Sequence, residues 1–397
     1  MVNDVAVLGI GMHPFGKFEN KHLKDLANTA IWNAIEDAGI HASKIQAAYV
    51  GNCLGGLLVG QESVRGQVIL RHAGFKGIPI VNVENACATA STAFRMAWLS
   101  VKSGLHDVVL AVGVEKMFVG NTAKSIEALS TATDIEVCGN MGLQFTSIYA
   151  MNIRKKMDRY GWTKEDLGLV AEKNSYNGSL NPYAQFKKPL SKEEVLASKM
   201  IADPITLFMA SPMGDGAAAA IVCNEKIARQ LKKGNPIIRV AASELSSGHA
   251  SMLESTPKES TTYTTALKAY EQAGVGPEDI DLAEVHDAMS PAELKIYEEL
   301  GLCNEGDAIK LIREGRTKIS GDIPVNPSGG LASRGHPVGA TGLAQIAEVV
   351  WQLRGEAGKR QVRSGDGKLP RFGLTQNDGG YVEGDQAASC IHILSRV

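Results

Sequence analysis

The sequence predicts an α/β layered protein built from two similar halves, on three observations. Apolar runs of strand length alternate with amphipathic helical stretches along most of the chain, the pattern of α/β layering. A segment of the first half recurs in the second: Ala34-Ile-Glu-Asp-Ala-Gly39 is echoed by Ala269-Tyr-Glu-Gln-Ala-Gly274. The register then holds without a gap, Ile45 matching Ile280, Ala48 matching Ala283 and Val50 matching Val285. The composition, 44 % hydrophobic and 21 % charged over 397 residues, belongs to one large folded domain or two to three packed ones.

Each copy of the repeat reads as an amphipathic helix stopped by glycine in the C′ position, a short turn, then a strand. In the first half a strand at Ile80–Val83 leads into the small-residue stretch Ala86-Cys-Ala-Thr-Ala-Ser-Thr92 and a helix to about Ser103. In the second, Gly335-His-Pro-Val-Gly-Ala-Thr-Gly342 opens a helix that runs to about Leu353. Strands follow at Val108–Val112 and Ala388–Leu394, which places a sheet in each half and small-residue helices between them. The expected division is 1–114 plus 207–235 for the first half, 236–397 for the second, and an insertion, 115–206. The insertion carries a helix at Phe145–Tyr160 and a turn-rich passage, Asn174–Pro189. A loop-rich insertion over an α/β core is a natural binding surface. Ser211–Ala220 reads as a tight turn entering a buried strand, and Arg354–Arg371 as a solvated loop.

Several function classes are excluded at this level. A formal charge of −2 lacks the basic surface of a general nucleic-acid binder. The six cysteines, Cys53, Cys87, Cys138, Cys223, Cys303 and Cys390, form no CxxC pair, so neither a disulfide framework nor a metal site is expected. The N-terminus lacks the basic start and long apolar core of a signal peptide, and no uncharged stretch reaches membrane-spanning length; a soluble cytoplasmic protein without membrane contact is expected.

Four places carry chemistry. Cys87 follows a polar turn at the start of a small-residue helix, where free amide hydrogens and the helix dipole stabilise a thiolate; it reads equally as a small buried side chain. His336 sits among three glycines before a helix, either an imidazole held at a fixed angle or an incidental member of a capping turn. That loop lacks the Lys-Ser/Thr ending of a phosphate loop, and no GxGxxG follows a strand. His286 and Asp287 follow the strand Leu282–Val285, beyond whose carboxyl end active-site groups gather in α/β proteins. Asp287 is placed to orient an imidazole or to cap a helix at Pro291–Leu300. Gln376-Asn-Asp-Gly-Gly380 reads as a glycine-ended loop able to offer amides to an oxyanion.

Taken together, Cys87 in NACATAS, HDAMSPAE at 286–293, NPSGGLASRGHPVGATG at 326–342 and the duplicated halves resemble the thiolase superfamily over essentially the whole chain. The nearest resemblance is to thiolases of the sterol-carrier-protein-2 type, with an HDA-type motif like that of the thiolase subunit of benzoylsuccinyl-CoA thiolase. The resemblance implies a duplicated five-layer αβαβα fold, a homodimer, and coenzyme A thioester chemistry with no permanently bound cofactor. It makes Cys87 the acyl-accepting nucleophile and His336 its activator. His286 would join His336 around the thioester oxygen, and the amides of Cys87 and Gly379 would form a second oxyanion hole. It places no coenzyme A contacts. Both positions where the family carries a second, acid/base thiol lack one: they hold Asn377 and Ala288.

The implied activity is that of a 3-oxoacyl-CoA thiolase, an acyl-CoA C-acyltransferase acting on acyl-CoA and CoA. Ala288 in place of cysteine enlarges the acyl site, and a branched, bulky or aromatic substrate is expected, as in lipid or aromatic degradation. The competing readings are a partner-dependent acyltransferase or retro-aldolase on the same fold, and a non-catalytic acyl-CoA-binding scaffold. Relatives with this motif also imply a heteromeric complex, the homodimer joined by a small zinc-ribbon/OB-fold subunit.

Overall fold

The structure is a computed structural model that describes residues 3–232, 236–249 and 256–397. The boundary expected at 235 lies outside the described residues. Nine strands form the main sheet: β1 (Val5–Gly16), β2 (Ala47–Gly51), β3 (Ile80–Val83), β4 (Val108–Lys116), β5 (Asp215–Asn224), β6 (Ile238–Ser246), β7 (Leu282–Glu284), β8 (Phe372–Gly379) and β9 (Ala388–Arg396). Their order is β3-β2-β4-β5-β1-β6-β9-β8-β7. The duplication is visible in it. Outward from the centre, β1-β5-β4-β2-β3 is matched by β6-β9-β8-β7 and then Val325, which bridges Ala283 in parallel where β3 pairs with β2.

The expectation of a sheet in each half is met with one difference: the two are joined. β1 and β6 meet through only two residue pairs, Ala6 with Arg239 and Val7 with Ile238, and the half-sheets fold over a shared filling. That filling is two helices, α1 at Thr89–Lys102 and α2 at Thr341–Arg354. Their Phe94, Ala97, Leu343 and Ile346 are buried in one cluster with Val109, Val222 and Val240 from both halves. Helix Leu23–Ala38 covers the outer face of the first half-sheet and Thr261–Ala273 that of the second, giving five layers. Both outer helices end as the repeat predicts, at Gly39 and Gly274, with φ of +67° and +68° in the left-handed region open to glycine.

Three local expectations need correction. The passage expected as turns from Asn174 begins inside a helix, Lys164–Ser179, and only 180–189 is irregular. Asparagine is a poor helix former, but here tertiary hydrogen bonds outweigh propensity. Asn174 Nδ2 donates to Asp287 and Glu293, Asn177 Nδ2 to the Asn326 carbonyl, and Asn181 Nδ2, just beyond the helix, to the Ser328 carbonyl. Gln376–Gly379 is the end of β8 rather than a loop, paired with β9 as far as Gly379 with Ala388. The 354–371 stretch is not wholly solvated: Arg360 is buried, and its Nε donates to both Glu348 carboxylate oxygens at 2.9 Å. The described residues contain no helix long and apolar enough to cross a membrane.

Candidate active site

The carboxyl ends of β4, β7 and β8 and the starts of the two central helices converge on a cavity of about 490 Å³. Cys87 occupies a single 3₁₀ turn, Ala86–Ala88, immediately before α1. His336 lies in the turn between a short helix, Gly330–Arg334, and α2; His286 follows β7. The thiol and one nitrogen of each ring lie within 4.8 Å of one another. Gly379 lines the same cavity. It must be glycine, because a Cβ there would stand 2.6 Å from the Ala88 amide nitrogen, inside the turn that carries Cys87. All four residues singled out in the sequence therefore meet, although 249 positions separate Cys87 from His336.

The two imidazoles are held in opposite tautomers. Thr341 Oγ1 donates to the Pro337 carbonyl at 3.1 Å, so its lone pairs face His336 Nδ1 at 2.6 Å and Nδ1 carries the hydrogen. His336 Nε2 then presents a lone pair to Cys87 Sγ, 3.3 Å away. At His286 the arrangement is reversed. Nδ1 receives the Asp378 amide N–H at 3.0 Å and the Asn377 side-chain amide at 3.1 Å, so the hydrogen sits on Nε2. The rings meet edge to face with centroids 5.1 Å apart.

Burial sets the charge states. It pushes the Cys87 thiol up to about 12, with the Glu115 and Glu84 carboxylates adding to the effect. The thiolate expected at this helix start is therefore not the resting form; desolvation and the carboxylates of Glu115, Glu84 and Asp378 favour the neutral thiol. His286 is pushed down to about 4 by burial and by the Arg334 guanidinium. His336 is held well below the ordinary range by burial, His286 and Arg334. The resting site is a neutral thiol beside a neutral base and a neutral donor.

Such a trio can hold soft metal ions in other settings, but the His286 tautomer opposes it here. A ring already accepting two N–H donors on Nδ1 carries its proton on Nε2 and has no lone pair to offer from the cavity side.

Asp287 does neither of the things its position suggested. Its carboxylate accepts the Leu331 amide at 2.7 Å and the Asn174 side chain at 2.9 Å, tying the segment after β7 to the start of helix Gly330–Arg334. A second buried set supports the same segment: Arg334 pairs with Glu284 at 3.0 Å, and Lys173 and Tyr297 bond Glu293. Sequence patterning missed Glu115, Thr341, Tyr149 and Lys295. Glu115, fully buried at the end of β4, accepts from Asn52 Nδ2 at 2.8 Å, from the Cys53 and Leu54 amides, and from the Gly339 amide in the His336 turn. Burial raises its carboxyl to about 7 against those hydrogen bonds. Tyr149 and Ile148, from helix Phe145–Tyr160, and Lys295 line the same cavity. A strand-end glutamate and a helix-start threonine were the available signals, too common to single out.

Residues 5–226 match the family "Thiolase, N-terminal domain" and residues 242–396 match "Thiolase C-terminal domain-like". The chain belongs to the thiolase family, and it is a thiolase-type acyl-CoA acyltransferase. It is 43 % identical to the acetyl-CoA acetyltransferase of Methanothermobacter thermautotrophicus over 397 residues, the whole of both chains. It is 40 % identical to sterol carrier protein 2 of Bos taurus over 375 residues, 91 % of this chain and 68 % of that one. It is 37 % identical to the benzoylsuccinyl-CoA thiolase subunit BbsB of Thauera aromatica over 382 residues, 95 % and 94 % of the two chains. Among solved structures, the Ltp2-ChsH2(DUF35) aldolase superposes with a TM-score of 0.82 at 24 % identity, covering 99 % of this chain and 98 % of that one, a likeness of fold.

Proposed function

We propose that the protein is a 3-oxoacyl-CoA thiolase working through an acyl-Cys87 intermediate. The observation that carries this is the Cys87–His336 contact of 3.3 Å at a cavity that His286 also lines with a hydrogen-bond donor. In thiolysis His336 Nε2 takes the thiol proton as Sγ attacks the keto carbon, and the hydrogen bonds around the carbonyl oxygen stabilise the charge that collects there. The C2–C3 bond breaks, leaving the acyl group on sulfur and an acyl-CoA enolate whose oxygen meets the His286 N–H. The enolate takes up a proton at carbon. The thiol of a second CoA then attacks the acyl-cysteine, and Cys87 regains its proton as acyl-CoA leaves. Run backward, the same steps form the bond by Claisen condensation. Coenzyme A is a substrate here, and Lys155, Lys156 and Arg159 of helix Phe145–Tyr160 line the cavity.

Retro-aldol cleavage and a binding scaffold are disfavoured by the same contact, since neither requires a thiol beside a base. The test is mass spectrometry after incubation with acyl-CoA. An acyl adduct on Cys87, and its loss together with thiolysis in Cys87→Ala, is expected; full cleavage by Cys87→Ala overturns the mechanism.

For the acyl group, Ala288 lines the cavity where the family places a thiol, and the apolar Met289 and Ile148 stand with it. This supports a branched, bulky or aromatic acyl chain. Rates with acetoacetyl-CoA and with aryl 3-oxoacyl-CoA decide, and a strong preference for acetoacetyl-CoA overturns this part. A homodimer is supported by β3, which ends the sheet with Val81 44 % exposed, an open edge that pairing with a second copy would cover. The Thauera relative, a subunit of benzoylsuccinyl-CoA thiolase, and the Ltp2-ChsH2(DUF35) aldolase support a small partner of the zinc-ribbon/OB-fold kind. Copurification from the native host, followed by sizing of the complex, tests both.

A further inference from the structure

Asn377 stands where the family resemblance places a second thiol, and its surroundings give it different work. It is fully buried at the end of β8. Its Oδ1 accepts from Ser91 Oγ, on central helix α1, at 3.0 Å, which turns its Nδ2 toward His286 Nδ1 at 3.1 Å. The Asp378 amide N–H reaches the same ring nitrogen at 3.0 Å. A side-chain amide can be turned over, but a strand N–H cannot. Nδ1 is therefore an acceptor, and Asn377 is consistent with that only with its NH₂ facing the ring. The His286 backbone is fixed as well, its N–H donating to Gln376 Oε1 at 2.9 Å.

We propose that Asn377 is a positioning residue that locks His286 in its Nε2–H tautomer, making this histidine a standing hydrogen-bond donor to the substrate oxygen and withdrawing it from proton transfer. The inference rests on the thioester-cavity reading for what the donor faces, though the tautomer itself does not. A neutral Nε2–H ring has no lone pair toward the cavity to take a proton, and giving one up would leave an imidazolate. Proton traffic at sulfur then falls to His336, whose lone pair points the other way.

The test begins with the native enzyme. In ¹⁵N-histidine-labelled protein at neutral pH, His286 should show a pyridine-type Nδ1 and a pyrrole-type Nε2. A pyrrole-type Nδ1 overturns the proposal. Asn377→Asp replaces the donor by an acceptor that opposes both the lone pair and the Asp378 N–H. It should move the proton signature onto Nδ1 and lower kcat by about 10- to 100-fold, with KM for the acyl-CoA within about 2-fold. Asn377→Cys restores the family's thiol and removes one of the two Nδ1 donors while the Asp378 N–H stays, so it should keep the Nε2–H signature and lose less kcat than Asn377→Asp. If Asn377→Cys matches or exceeds the native rate, the position serves proton transfer and the proposal fails. Should Asn377→Asp not fold, the native spectrum and Asn377→Cys carry the test. Absence of any acyl-Cys87 adduct in the native enzyme would refute the thiolase mechanism and leave the tautomer measurement standing on its own.

Discussion

The two halves end equivalent strand pairs in the same place and use them differently. In the first, the residue after β2 is met by the end of β4; in the second, the residues after β7 are met by the end of β8. Asn52 sends its Nδ2 to the Val114 carbonyl and to Glu115, both at 2.8 Å, and Glu115 collects three backbone amides besides. Every one of these polar groups finds a protein partner. His286 has Nδ1 satisfied from two sides, while its Nε2 has no partner among the described residues and faces the cavity that holds the thiol. The same backbone frame makes a closed structural knot on one side and an open chemical group on the other. What separates them is whether one polar atom is left for a ligand.

Several substitutions would break or sharpen that contrast. The largest effect is expected for His336→Ala, which removes the ring nitrogen 3.3 Å from Cys87 Sγ, the proposed acceptor of the thiol proton. kcat/KM should fall by about 10²- to 10⁴-fold, with acyl-Cys87 formation slowed in rapid-quench mass spectrometry. Retention of native acylation would mean that another group activates the sulfur. His286→Ala should cost about 10²- to 10³-fold in kcat with little change in KM, as loss of one oxyanion donor does. A change confined to KM would make His286 a ground-state binding group instead.

The closed knot should respond in the opposite way. Glu115→Ala leaves one Asn52 N–H, two amides of the 53–54 turn and Gly339 without their acceptor, and should destabilise the fold by about 2–4 kcal/mol in urea titration. Its kcat, measured below the transition, should stay within about 10-fold of native. If activity falls as steeply as in His286→Ala, the contrast between the halves is wrong.

The smallest effect is in the pH profile. Burial lowers both cavity histidines, His286 to about 4 and His336 well below the ordinary histidine range, so the pair stays neutral at neutral pH. Acidification protonates His336 Nε2 and removes the base, so kcat/KM should fall only below the ordinary histidine range. The profile is best measured in Glu115→Gln, which deletes a carboxyl that burial raises to about 7. An acid limb at or above 6.5 in that protein, accompanied by protonation of the His336 ring in ¹⁵N-histidine spectra, would show that burial does not hold the rings neutral; Glu284, also raised to about 7, gives no such ring signal.

The sequence alone determined the α/β order and the duplication, and through the family resemblance its motifs singled out Cys87, His286, His336 and Gly379, which the fold brings to one cavity. These are written locally, in apolar periodicity, helix-stopping glycines and short motifs whose backbone needs survive any packing. The insertion was half legible: helix Phe145–Tyr160 follows from its pattern, whereas Asn174, Asn177 and Asn181 read as turn formers because their partners at Asp287, Asn326 and Ser328 lie far along the chain. Tertiary structure alone decided the joining of the half-sheets, the thiol form of Cys87, the opposed tautomers and the partners of Asn377. Burial and hydrogen-bond direction set a proton's position, and both depend on groups that the fold brings together from distant parts of the chain.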